Sequence, residues 1–126
     1  MNKQKRIFII AGESSGDQHA ARYVREHEKM NPDIIFDAFG QKELEGTAAN
    51  FIYDTEKIAV VGIMEVISRY REITNALKLA KSHINETRPD LIILVDYVEF
   101  NLKIAKFAKS LGIRVVFYIA PQLWAW

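Results

Sequence analysis

Two carboxylates stand three residues apart after a run of five apolar residues. They are Asp96 and Glu99, in LIILVDYVEFN at residues 91–101. Partial burial and a neighbouring like charge both raise a carboxylate's affinity for protons. An acid so placed can take a proton from a substrate hydroxyl, as a general base does. The same spacing fits a plain turn in which one acid caps a helix and the other is solvated, and spacing does not separate the two. A second acid-bearing segment, GESSGD, occupies residues 12–17. It follows an apolar run, as a dinucleotide fingerprint would, but it is not G-x-G-x-x-G. Glu13 and Asp17 would repel a pyrophosphate and suit hydroxyl or ammonium donors better. The plainer reading of these six residues is a helix-capping turn. Gly12 and Gly16 then serve only the backbone, and Ser14, Ser15 or Asp17 is the cap.

Other chemistries are excluded or poorly served. The chain has no cysteine, hence no disulfide, thiolate metal site or Cys nucleophile. His19, His27 and His83 have no metal-ligand spacing, and no metal or other cofactor is called for. His27 and His83 read as solvated helix positions, and His19 as surface near the GESSGD turn. A hydrolase nucleophile at Ser14 or Ser15 is disfavoured, because Ser14, the middle residue of GESSG, has no plausible histidine after it except His19 and His83.

The acids need a scaffold. Leu91–Val95 reads as a strand buried on both faces. Asn101 stands where an N-cap would precede Ile104, Phe107, Ala108 and Leu111. Arg6–Ala11 (RIFIIA) is a first strand. A helix over roughly Gln18–Met30 turns Ala21, Val24 and Met30 inward and is ended by Asn31–Pro32–Asp33. Ile34–Phe39 is a second strand, Lys42–Asn50 a short helical turn and loop, and Phe51–Tyr53 a short strand. Ile58–Val61 is a strand or a buried turn. Val66, Tyr70, Ile73, Leu77, Ala80 and Ile84 recur at spacings of four, three, four, three and four, the stripe of a long helix. Pro89 ends it near Thr87. Gly112 stops the next helix, and Arg114–Ile119 is a last strand. Strands alternating with helices imply an α/β fold, a Rossmann-like parallel sheet with helices on both faces. The expected strand order, 3-2-1-4-5, brings GESSGD and DYVEFN to one crevice.

Composition agrees. The 126 residues suffice for one domain, with 49% apolar and 26% charged residues. Seventeen basic residues against sixteen acidic leave a formal charge of +1, which speaks against nucleic acid as the main partner. MNKQKR followed by IFIIA is too short for a signal peptide, and no run is long enough to span a membrane, so a cytoplasmic location is expected. The stretch Ala59–Ile67 (AVVGIMEVI), with Arg69 and Arg71 behind it, has two readings. Val60, Val61, Ile63, Met64 and Ile67 are either core or, with the arginines, a contact for an anionic membrane surface. The aromatic end FYIAPQLWAW has no polar cap and leads us to expect that the polypeptide continues.

Taken together, these stretches resemble the lipid-A-disaccharide synthases, bacterial glycosyltransferases of the GT-B fold. The resemblance covers essentially the whole chain. It rests on Ala11–Asp17, on Ala59–Gly62 with Glu65-Val66, on Asp96–Asn101 and on Tyr118–Trp126. It implies transfer of diacylglucosamine from UDP to the 6-hydroxyl of diacylglucosamine 1-phosphate, with inversion, to give a β-1,6 disaccharide. It implies Glu99 as base with Asp96 in support. Gly12, Glu13, Ser15, Gly16, Asp17, Asn101, Pro121 and Trp124 become substrate-binding residues. It also implies a peripheral position on the inner face of the cytoplasmic membrane, and a C-terminal nucleotide-sugar domain absent from these 126 residues. Departures from the family pattern are Val98-Glu99 for Pro-Asp, Ser14 for Ala or Thr, and Ala120 for Ser. The extra methylene of Glu99 moves its carboxylate by about an ångström, enough to matter to rate. A non-catalytic acceptor-binding module and a dehydrogenase half are the alternatives, the latter disfavoured by the missing fingerprint.

Overall fold

The computed structural model describes residues 4–59 and 66–119. Five strands, β1 (Arg6–Ala11), β2 (Ile35–Gly40), β3 (Asn50–Asp54), β4 (Leu91–Val95) and β5 (Arg114–Tyr118), form one sheet. All are parallel, in the order β3-β2-β1-β4-β5, as the sequence led us to expect. The helices are α1 (Ser14–Met30), α2 (Lys42–Glu45), α3 (Glu56–Ala59), α4 (Val66–Thr87) and α5 (Val98–Ser110).

Right-handed crossovers decide which face each helix covers. From β1 the chain moves one way along the sheet through α1 and α2. Ala20, Ala21 and Val24 of α1 and Leu44 of α2 pack on Ile7, Ile9 and Ala38. After β3 the direction reverses, so α4 and α5 take the opposite face. There Ala76, Ala80, Ile84, Phe100 and Ile104 pack on Phe8, Ile10, Ile92 and Leu94. The parallel register levels the carboxyl ends of the central strands: Ala11 pairs with Val95, and Val95 with Tyr118. The loops after β1 and β4 therefore share one edge.

Several expectations need correction. Strand β4 is not buried on both faces: Ile92 and Leu94 are fully buried, whereas Leu91 and Ile93 are half-buried. Helix α1 begins at Ser14, four residues before Gln18, so Ser14–Asp17 are its first turn. Met30, its last residue, points to solvent at 70% exposure. Ile58 and Ala59 are helical rather than strand, and Ile58 is buried. Tyr70 is 73% exposed. The buried arc of α4 is centred on Ala76, Ala80 and Ile84, and Tyr70 lies about 80° around the helix from Ala80. His27 is not solvated but packs on the rings of Tyr23 and Phe36. His83 packs on Phe8, with Nε2 3.2 Å from an oxygen of the buried Asp37.

Candidate functional site

The edge at the carboxyl ends of β1 and β4 holds both acid-bearing segments. Tyr97 joins them. Asp96 and Tyr97 are successive non-glycine residues in the left-handed region, with φ of 50° and 41°. Each costs about 1–2 kcal/mol, so the surroundings must hold them there. Tyr97 stacks on Phe100, with ring centroids 5.1 Å apart. Its other side lies against Gly12, where an added Cβ would come within 2.3 Å of the Tyr97 ring. Gly12 is therefore a close-approach glycine. Gly16 serves the same purpose one turn on: a Cβ there would lie 3.2 Å from Val95 and 3.3 Å from an Asp96 carboxylate oxygen.

Asn101 is not a helix cap. Tyr97 holds that position, and Asn101 lies inside the first turns of α5, fully buried. Its Nδ2 donates to the Asp96 carbonyl at 3.0 Å and lies 3.4 Å from the Ile10 carbonyl and 3.5 Å from that of Val95. One amide thus ties the ends of β1 and β4 to α5. The Asp96 N–H donates to the Tyr118 carbonyl at 2.9 Å, which fixes the turn to β5 as well.

Asp17 also departs from expectation. It does not cap its own helix, where Glu13 is the N-cap residue and makes no side-chain cap. Its carboxylate is buried and accepts three backbone N–H groups across space. Gln41 and Leu44 donate to Oδ1 at 2.8 and 3.1 Å, and Glu43 donates to Oδ2 at 2.8 Å. Those are the orphan donors at the start of α2, and the negative charge suits that helix end. Asp17 shapes the edge by anchoring α2.

The two acids after β4 differ in setting. Asp96 is buried at 8% exposure, whereas Glu99 is exposed in the first turn of α5. Glu13 and Ser15 are exposed on the same edge. Burial raises the Tyr97 hydroxyl above the ordinary tyrosine pKa, with the charge of Arg69 opposing the rise and that of Glu99 adding to it. Arg69, at the start of α4, thus acts on this edge, and Arg71 is exposed nearby along the helix. His19 is exposed, its ring 5.9 Å from that of Tyr118.

Sequence reasoning missed Thr55. Its buried hydroxyl donates to the Ala11 carbonyl at 2.9 Å, and its N–H donates to the Gly40 carbonyl at 2.8 Å. A lone hydroxyl between Asp54 and Glu56 gives no sign that it closes the ends of β1 and β2.

The family model for lipid-A-disaccharide synthetase matches residues 7–126. The chain belongs to that family. It is 45% identical over 125 residues to the lipid-A-disaccharide synthase of Nitrosococcus oceani, covering 99% of this chain and 32% of that protein. It is 42% identical over 127 residues to lipid-A-disaccharide synthase 1 of Legionella pneumophila, covering 100% and 33%. With the synthase of Geobacter metallireducens the figures are 39% over 122 residues, 97% and 32%. The chain thus spans about a third of the length of the curated relatives it matches.

Within this lipid-A-disaccharide synthetase family chain, Gly12, Glu13, Ser15, Gly16, Asp17, Asp96, Glu99 and Asn101 belong to the two loops of one edge and the helix turns that follow them. Pro121 and Trp124 lie outside the described residues, as do Val60, Val61, Ile63 and Met64. Ile67 falls in the first turn of α4. Among the described residues, no helix is long and apolar enough to cross a membrane, and no cluster of three His, Asp or Glu is placed to hold a metal.

Proposed function

We propose that this chain is the N-terminal, acceptor-side domain of a lipid-A-disaccharide synthase. The intact enzyme transfers diacylglucosamine from UDP to the 6-hydroxyl of diacylglucosamine 1-phosphate. The observation that carries the reading is the pair of acids after β4, one exposed and one buried, opposite the GESSGD turn. Glu99 takes the proton from the acceptor 6-hydroxyl. That oxygen attacks the anomeric carbon of the donor sugar, and the bond from this carbon to the phosphate oxygen breaks. UDP leaves with the electron pair, and the anomeric centre inverts.

Asp96 supports Glu99 electrostatically. Glu13 and Ser15 offer acceptors to sugar hydroxyls, while Gly12 and Gly16 let the two loops close on each other. Asp17 and Asn101 hold the crevice walls. Pro121 and Trp124 contribute further substrate contacts. Val60, Val61, Ile63, Met64 and Ile67, with Arg69 and Arg71, meet acyl chains and anionic headgroups at the inner-membrane surface. The donor nucleotide is held by a second domain beyond these residues, so the 126-residue chain alone does not turn over. UDP release by the purified 126-residue chain above the no-enzyme rate would contradict that. In the intact enzyme Glu99→Gln removes the base at nearly constant volume. Turnover is expected to fall by about 10²–10⁴ with little change in acceptor KM. Turnover near wild type would remove Glu99 from the role.

A further inference from the structure

Two polar groups at the crevice edge have no hydrogen-bond or ion-pair partner among the described residues. One is the Tyr97 hydroxyl. The ring is fixed by Phe100 and Gly12, and burial raises the hydroxyl pKa, so the group remains a donor at neutral pH. The other is the Arg69 guanidinium. Helix α4 runs opposite to the strands. Near its start the Tyr53 hydroxyl, from the end of β3, donates to Glu72 Oε2 at 2.6 Å, and near its end His83 meets Asp37 and the start of β1. The first turns of α4 therefore lie at the carboxyl edge of the sheet. At 100° per residue, Arg69 points within about 20° of Ala76 and Ala80, the centre of the buried arc. It is exposed all the same, because one turn before Ile73 that arc has passed the strand ends. Arg69 thus faces the crevice, and its charge acts on the Tyr97 hydroxyl. Arg71, about 140° from Ala76, is turned outward. Glu72, the acid three residues beyond Arg69, is engaged by Tyr53.

We propose that Arg69 and the Tyr97 hydroxyl form the subsite for the acceptor's phosphate and so select a phosphomonoester acceptor. The inference rests on the reading of Glu99 as the base, and it narrows Arg69 from anionic headgroups in general to that of the acceptor. The chemistry fits a phosphate. A guanidinium presents its N–H donors in a fixed fork that matches phosphate oxygens, and a protonated phenol adds one more donor. Asp96 and Glu99 make this edge negative, so an anion brought beside the base needs a cation there, whereas a neutral sugar does not. Stereochemistry favours the acceptor over the donor. In an inverting displacement the leaving phosphate lies across the anomeric carbon from the attacking oxygen, hence on the side away from Glu99. An anion held on the side of the base belongs to the molecule whose hydroxyl the base deprotonates. A bulk-lipid headgroup offers the same chemistry, but Arg71, turned outward, is better placed for it than Arg69.

The test uses the full-length enzyme in neutral detergent micelles. kcat/KM is measured for diacylglucosamine 1-phosphate and for the same lipid with a bare 1-hydroxyl. Wild type should prefer the phosphorylated acceptor, and Arg69→Gln should reduce that preference by about tenfold or more. Tyr97→Phe keeps the ring in place and removes only the hydroxyl; it should reduce the preference by about fivefold. A merely structural loss would slow both acceptors alike and leave their ratio unmoved. Lys78→Gln, an equal charge change at an exposed position of α4, should also leave the ratio unmoved. A ratio that either Arg69→Gln or Tyr97→Phe fails to move, a ratio that Lys78→Gln moves equally, or an Arg69→Gln effect that appears only with added phosphatidylglycerol vesicles would each overturn the subsite and leave Glu99 as the base. Transfer by wild type to neither acceptor would overturn the transferase reading, and the subsite with it.

Discussion

Gly12→Ala tests whether the contact between the two loops is as tight as the geometry requires. The new Cβ would meet Tyr97 Cγ and Cδ2 at 2.3 Å and Tyr97 Cβ at 2.5 Å, where ordinary contact begins near 3.4 Å. Tyr97 must retreat by about 1 Å. It has little room, because its ring stacks on Phe100 and its carbonyl accepts from the Asn101 N–H at 3.0 Å. Overpacking costs about 1–3 kcal/mol, and a clash with atoms at the root of the side chain belongs at the upper end. For a domain of this size that is a fall in Tm of roughly 10–15 °C. Gly46→Ala is the control, since its nearest neighbours lie at 3.6 Å and its cost stays within about 0.5 kcal/mol. Tyr97→Gly removes the obstructing ring, so in that background Gly12→Ala should cost almost nothing. Urea denaturation of the four proteins closes a double-mutant cycle with a coupling of about 3 kcal/mol. An unchanged Tm for Gly12→Ala, or an equal cost in both backgrounds, would refute the contact.

Asp17→Ala should cost about 2–4 kcal/mol by denaturant melting, because it strands backbone donors of α2. Asp17→Asn keeps one acceptor oxygen and should lose less. Burial pushes the Asp37 carboxyl up, but His83, Arg6 and Asn50 outweigh it and hold it well below the ordinary carboxylate pKa. Its contribution to stability is therefore complete above the unfolded value, near pH 4, and fades as the pH falls further. Asp37→Asn should cost about 2–3 kcal/mol at pH 7, the Arg6 side chain being 34% exposed. The gap to wild type should close as the pH is taken below 4, and a gap constant to pH 2 would count against the ion cluster.

The strands and their order could be read because local signals there coincide with the fold. RIFIIA and LIILV are β-branched and short, Pro89 marks the end of α4, and alternation of strand and helix fixes the crossover hand. The site could be read less well because its determinants act over long sequence separations. Asp17 meets its partners 24–27 residues away, and Asn101 reaches a carbonyl 91 residues away. Local capping rules see only the nearest turn, so Asp17 looked like a cap for its own helix and Asn101 like a cap for α5. No glycine announces the left-handed pair Asp96–Tyr97. Met30 and Tyr70 fit the helical stripes by count yet fall outside the arcs that the sheet covers.

The same left-handed pair bears on Val98-Glu99, where the family resemblance leads one to expect Pro-Asp. Val98 is the first residue of α5, a position whose N–H has no intrahelical partner. Replacing proline there sacrifices no hydrogen bond. Proline would, however, push the preceding residue toward extended backbone. Valine lifts that restriction, and Tyr97 adopts the left-handed turn that brings its ring onto Gly12. The change at 98 therefore bears on how the loop leaves β4, and the longer side chain at 99 on how far the carboxylate reaches from it. The two departures are best weighed together. Asp96, buried beneath the turn, is held by the strand end whichever residue stands at 98, whereas Glu99 rides on the first turn of α5 and inherits any change in its direction. For the role proposed for Glu99, the direction of that turn decides whether the exposed carboxylate meets a substrate hydroxyl.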